Sequence, residues 1–184
     1  MRIAVLGDIH GNINALKKAT ENAEKQGMDF ILSTGDLVDT EENAFEIMSF
    51  CKIKKIFSVR GNHDDMVGYS KKIDKEIREY YQNLPFDIEL KVHNRKIKIF
   101  HGSKKRIEEY IFEDSEIFNE YLEDSLENDI IICGHTHIAH ISEKNNVYVI
   151  NPGSISLPRK SGHEPTYLIM NIFENQFSAQ LIKF

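Results

Sequence analysis

The 184-residue chain is 41% apolar and 28% charged with a formal net charge of −6, a mixture that folds around a core and excludes a disordered polar tract. Roughly 100 to 200 residues make one domain, so a single unit over 1–184 is expected. The negative balance argues against a long nucleic-acid partner, which is normally gripped by a basic stripe.

The apolar run from Arg2 to Leu6 reads as a strand that stops at Gly7-Asp8. It is too short for a signal peptide or a membrane span, so no membrane association and a cytoplasmic location are expected. Ile13, Leu16, Ala19 and Ala23 then recur at helical spacing over 13–26, and Gly27 supplies the stop. A second strand from Phe30 runs into Gly35-Asp36, and a helix over 42–50 and a strand over 53–59 lead to Gly61-Asn62-His63-Asp64, read as a polar loop. A helix over 72–83 ends before Pro85, and strands 88–92 and 96–100 flank a hairpin turn at His93-Asn94. The second of these strands delivers His101-Gly102. After a polar helical stretch, a strand over 129–133 ends at Gly134-His135-Thr136-His137, and strands over 147–150 and 167–172 follow. Alternating strand and helix implies parallel βαβ units, whose loops gather at the carboxyl edge of a sheet, where α/β proteins bind ligands.

Taken singly, most of these loops read as turn chemistry. Asp8-Ile9-His10 alone is more simply a turn acid with an exposed histidine, and Gly35-Asp36 is weaker still. Together they form a different pattern, because five of the eight histidines, with Asp8, Asp36, Asn62 and Asp64, occupy five loops that each follow a strand. Imidazole and carboxylate oxygen suit Mn, Fe, Zn or Ni, and no thiolate joins the motifs, so a catalytic metal site is expected rather than a structural zinc site. Cys51 and Cys133 read as small core residues. His93, His140 and His163 lack motif partners and stay outside the site, and Lys104-Lys105-Arg106 reads as a solvated charge run.

In this order, Gly7-Asp8-Ile9-His10-Gly11-Asn12, Gly35-Asp36, Gly61-Asn62-His63-Asp64, His101-Gly102 and Gly134-His135-Thr136-His137 resemble the calcineurin-like metallophosphoesterases over about residues 1–157. The short length and Asn151-Pro152-Gly153-Ser154 are most similar to the small YfcE-like phosphodiesterase branch. The resemblance implies a four-layer αββα sandwich of two facing mixed sheets; periodicity alone gives only α/β. It implies Asp8, His10, Asp36 and His137 around one divalent ion and Asp36, Asn62, His101 and His135 around a second, with Asp36 bridging. Mn²⁺ comes first, with Ni²⁺, Fe²⁺, Co²⁺ and Zn²⁺ as alternatives. Two ions, two carboxylates and a bridging hydroxide leave the centre about +1, which attracts a phosphodiester despite the acidic chain. The hydroxide is then the nucleophile. His63 matches the family's catalytic histidine and serves as general acid, with Asp64 orienting its ring.

Asn12 and Arg159 are candidates for substrate contact, although Asn12 reads equally as a turn residue and Arg159 as a surface arginine. A small phosphodiester is the expected partner, and self-association is compatible with the sequence. Two rival readings share the fold: a phosphomonoesterase or nucleotidase on the same centre, and a non-catalytic interaction scaffold, against which the presence of His63 argues.

Overall fold

The computed structural model describes residues 1–113, 115–159, 164–174 and 176–184, so His163, set aside above, lies outside the described residues. The chain runs β1 (Arg2–Leu6), α1 (Ile13–Lys25), β2 (Phe30–Ser33), a 3-10 turn (Glu41–Asn43), α2 (Ala44–Lys54), β3 (Phe57–Ser58), α3 (Asn62–Gly68) and α4 (Lys75–Gln82). It continues with β4 (Asp87–Val92), β5 (Arg95–Phe100), α5 (Glu116–Asp124), β6 (Ile130–Cys133), β7 (His140–Lys144), β8 (Val147–Asn151), β9 (Thr166–Ile172) and β10 (Phe177–Lys183).

The strands form two five-stranded mixed sheets, ordered β10-β9-β1-β2-β3 and β4-β5-β6-β8-β7. Strands β1 to β3 are parallel, as are β5, β6 and β8. The loops after β1, β2 and β3 therefore share one edge of the first sheet, and those after β5 and β6 share one edge of the second.

Side-chain alternation along each strand builds the layers. Ile3 and Val5 of β1 face Ile97 and Ile99 of β5 and Ile130 and Ile132 of β6 in a core between the sheets. Ala4 and Leu6 point the other way, onto Leu16, Ala19 and Ala23 of α1 and Ile47 and Met48 of α2. On the far side, Ile131 and Cys133 pack with Phe118 of α5. The result is the expected αββα sandwich. Burying each of the large aliphatic side chains contributes roughly 1.5–3 kcal/mol. Cys51 and Cys133 are free and buried, as expected, and burial pushes both thiols up to about 12.

Four local expectations differ. The strand placed over 53–59 shrinks to Phe57–Ser58, because Ile53 and Lys54 complete α2 and Lys55 ends it in the left-handed region at φ 52°. The helix placed over 72–83 is Lys75–Gln82, starting after Asp74. The loop at Asn62 is the start of α3, because the Asp64 carboxylate turns back to accept a hydrogen bond from Gly61 N at 2.9 Å and closes a first helical turn. Strands β7 and β10 lie at the sheet edges, where exposed and half-exposed polar residues interrupt the apolar pattern. No helix among the described residues is long and apolar enough to cross a membrane.

Candidate metal centre

The five loops meet where the carboxyl edges of the two sheets adjoin. Asp8, His10, Asp36, His135 and His137 all take positive φ, at 34°, 47°, 49°, 64° and 59°. Non-glycine residues rarely adopt this region, at a cost of about 1–3 kcal/mol each, and hold it only where the surroundings enforce it. Here the enforcement is backbone lacing: Ile9 N and His10 N both donate to Asp36 O at 2.9 Å, and Gly134 N donates to His101 O at 2.8 Å. Two glycines permit the approach. A Cβ on Gly134 would lie 2.6 Å from Thr34 Oγ1 and 3.0 Å from Asp8 Oδ2, and one on Gly61 would collide with Asp36. The Asn151-Pro152-Gly153-Ser154 segment is a brace: Asn151 Nδ2 donates to Gly134 O at 2.8 Å, and Ser154 Oγ donates to Asp8 O at 2.6 Å.

Second contacts fix the orientation of each imidazole. One nitrogen of His101 lies 2.8 Å from Thr34 O, one of His135 lies 3.1 Å from Glu108 O, and one of His137 lies 2.8 Å from Leu157 O. His10 Nδ1 lies 3.2 Å from Asp39 Oδ1. Each acceptor places the ring proton on the outer nitrogen and turns the other nitrogen inward. The inward nitrogens then meet in pairs, His10 Nε2 to His137 Nε2 at 3.0 Å and His101 Nε2 to His135 Nδ1 at 3.1 Å. Two lone pairs at that separation repel unless something positive lies between them, a proton or a metal ion.

The remaining oxygen donors border these pairs. Asp8 Oδ1 is 3.3 Å from His137 Nε2, Asn62 Oδ1 is 3.0 Å from His101 Nε2, and Asp36 Oδ2 lies 3.7 Å from His10 Nε2 and 3.4 Å from His101 Nε2. Asp36 thus stands between the pairs. The ligand atoms of Asp8, His10 and His137 lie within 4.8 Å of one another, as do those of Asp36, His101 and His135. All seven residues read from the sequence as metal ligands are brought together, and the donor set fits borderline divalent cations.

The electrostatics have the same centre. Burial opposes charge on His101, but the adjacent Asp36 carboxylate outweighs it and lifts the ring to about 9. Burial likewise works against ionised Asp36, yet His101 and then His10 hold it well below the usual carboxylate range. His135 is pushed down to about 4 by burial and by its neighbour His101, and burial also lowers His10.

The other site residues divide. His63, at the end of α3 nearest Asp36, is half-buried and packs edge-on against His10 with ring centroids 4.9 Å apart. Asp64 does not orient that ring. Its fully buried carboxylate accepts from Leu37 N, Val38 N and Gly61 N, which ties the second loop to the third, and burial followed by Asp36 pushes it up to about 8. The residue that meets His63 Nδ1 is Asp39, through its carbonyl at 3.1 Å and its Oδ1 at 3.2 Å. Asp39 therefore touches both His10 and His63 and was missed; its only signal was an acid three residues after Asp36. Asn12 caps α1, its side-chain oxygen accepting from Ala15 N at 3.0 Å, so the turn alternative describes that oxygen. Arg159 is exposed and donates to Tyr110 Oη at 3.3 Å. Tyr110, which no motif marked, lies flat on His135 with centroids 4.2 Å apart and planes 15° off parallel.

Two facing mixed sheets that converge imidazoles and carboxylates at their carboxyl edges define an α/β metal-binding protein whose donors suit hydrolytic chemistry. The chain belongs to the calcineurin-like phosphoesterase superfamily, whose domain model matches residues 1–175. It is 29% identical over 218 aligned residues to an uncharacterized protein of Methanocaldococcus jannaschii, covering 98% of this chain and 86% of that one. It is 24% identical to the phosphodiesterase YfcE of Escherichia coli, covering 91% and 85%. A crystal structure of a hypothetical protein from Pyrococcus horikoshii shares the fold at a TM-score of 0.81 and 20% identity, covering 99% and 87%.

Proposed function

We propose that this chain is a phosphodiesterase working with two divalent ions, Mn²⁺ first among Mn²⁺, Ni²⁺, Fe²⁺, Co²⁺ and Zn²⁺. The observation that carries the reading is the pairwise convergence of four imidazole nitrogens on either side of Asp36. Asp8, His10, Asp36 and His137 hold one ion, and Asp36, Asn62, His101 and His135 hold the other. Bound there, such ions polarise phosphoryl oxygens and lower the pKa of water.

The chain's own residues do the rest. Asp36 faces both pairs and sets their separation, while the carbonyls of Thr34, Glu108 and Leu157 hold the outer nitrogens of His101, His135 and His137 and so turn the other nitrogen of each ring toward the ions. His63 is the general acid: with Nδ1 directed to Asp39, Nε2 is the nitrogen that hands a proton to the departing oxygen. The name of the Escherichia coli relative supports a diester substrate. The substrate is a small phosphodiester, and the enzyme acts in the cytoplasm as one catalytic unit.

The test compares kcat/KM on bis-p-nitrophenyl phosphate and p-nitrophenyl phosphate with each metal. Faster diester turnover supports the proposal, and preference for the monoester replaces it with a phosphomonoesterase.

A further inference from the structure

The end of the sandwich remote from the metal centre holds a buried cation that has no anion. Arg95 opens β5, whose other end delivers His101, so at about 3.3 Å per residue the two ends lie roughly 20 Å apart. By strand alternation Arg95 shares a face with Ile97 and Ile99, which look into the core between the sheets. Its guanidinium carbon stands 4.7 Å from the ring centre of Phe177 in the first sheet and 5.8 Å from that of Tyr148 in the second.

The chain's other buried guanidinium shows what is missing. Arg60 and Arg95 are 9% and 8% exposed. Arg60 meets the Asp65 carboxylate at 2.8 Å and donates to the carbonyls of Leu84 and Gln82. Arg95 carries the same five N–H donors. Among the described residues its one hydrogen bond runs from Nη1 to Asn128 O at 3.4 Å, and no carboxylate forms an ion pair with it. Nε and Nη2 make no hydrogen bond, yet neither is sealed from solvent. They are the donors left for the cavity of about 550 Å³ that Arg95 lines, a size that suits a small molecule.

Asn94, Asn128, Asn146 and Gln176 border that cavity, and no described acid does. The nearby acids are engaged elsewhere, Asp129 with Lys98 Nζ at 3.2 Å and Glu127 with Asn146 Nδ2 at 3.3 Å. A buried charge is costly without a counter-charge, and ring faces offset only part of that cost. Amides add hydrogen-bond donors without cancelling the charge. An anion supplies what the protein leaves out, and a tetrahedral oxyanion suits the donors best: two of its oxygens fill the guanidinium fork and the others remain for the amides.

We propose that this cavity binds a phosphoryl oxyanion, either free phosphate or the phosphate of a small organic molecule, clamped by Arg95 and surrounded by the bordering amides. The site stands apart from the metal centre and does not rest on the phosphoesterase reading. Its rival is a strut, in which Arg95 serves only to hold Phe177 against Tyr148.

The test follows the Arg95 Nε–H resonance and the side-chain amides of Asn94 and Asn128 by heteronuclear NMR during titration with inorganic phosphate. The full chain is used with Zn²⁺ bound and again after chelation, with chloride holding the ionic strength constant. Saturable shifts with the same Kd in both samples are expected, and acetate should bind about tenfold more weakly. Arg95→Lys, which keeps the charge but loses the fork, should weaken phosphate about tenfold. Asn94→Asp, which sets a carboxylate at an exposed turn position on the rim, should weaken it by a similar factor without disturbing the fold. Methylphosphonate separates the two sources: tighter binding than phosphate assigns the site to an organic phosphate, and weaker binding to free phosphate. No saturable shift, acetate binding as tightly as phosphate, or an affinity unchanged by Asn94→Asp would overturn the site. A lower melting point for Arg95→Lys with no phosphate shifts in the unmodified chain would leave the strut in its place.

Discussion

Replacing Asp39 by Ala tests how the centre is held from outside. Its Oδ1 lies 3.2 Å from both His10 Nδ1 and His63 Nδ1, but the two rings depend on it differently. His63 also has the Asp39 carbonyl at 3.1 Å, which the substitution preserves, whereas the carboxylate is the acceptor facing His10 Nδ1. A hydrogen bond to a charged group is worth about 1.5–3 kcal/mol when well sheltered. The Asp39 side chain is 55% exposed, and solvent screening reduces that to roughly 0.5–1.5 kcal/mol. Asp39→Ala should therefore weaken Mn²⁺ binding about two- to tenfold in calorimetric titrations of chelator-stripped protein. Turnover at saturating Mn²⁺ should change less, and Asp39→Asn, which keeps an acceptor, should recover much of the affinity. Unchanged Mn²⁺ affinity together with a loss of turnover beyond about a hundredfold would refute the reasoning, because Asp39 would then act through His63.

Three further outcomes follow from the same geometry. His63→Ala should lower diester turnover by about 10²- to 10⁴-fold while elemental analysis finds the metal content unchanged; lost metal would make His63 a ligand. Gly134→Ala drives a methyl group onto Thr34 and Asp8, so it should cost about 1–3 kcal/mol, a melting-point drop of roughly 2–12 °C, and should also weaken metal binding. In the stripped protein, Asp36 raises His101 from its ordinary 6.5 to about 9. That stabilisation is whole below pH 6.5 and disappears as pH rises through about 9, so melting points should fall across this window. Mn²⁺ affinity should climb over the same window as the competing proton leaves.

The parallel strands and their polar loops were legible because each strand is a short apolar run cut by a glycine and an acid or amide, as at Leu6-Gly7-Asp8 and Cys133-Gly134-His135. The metal-binding cluster was legible for the same reason: its residues occupy those loops, and α/β topology brings such loops together. The division into two sheets was not legible from periodicity, since Ile97 and Ile3 carry no mark that they face one another across the core. Edge strand β7 was hidden because its residues are half-exposed or exposed and mostly polar. Asp64 was misread because a buried carboxylate bound to three backbone amides looks, in sequence, like a partner for the adjacent His63. Tyr110 and Asp39 were missed because their contacts cross between loops far apart in sequence or close a turn whose geometry appears only in three dimensions.

The most direct test of the central claim is hydrolysis of bis-p-nitrophenyl phosphate by protein stripped with a chelator, before and after Mn²⁺ is restored. The account predicts negligible turnover from the stripped protein and full recovery once close to two ions bind per chain. Equal turnover with and without metal, or none with Mn²⁺, Ni²⁺, Fe²⁺, Co²⁺ or Zn²⁺, would contradict it.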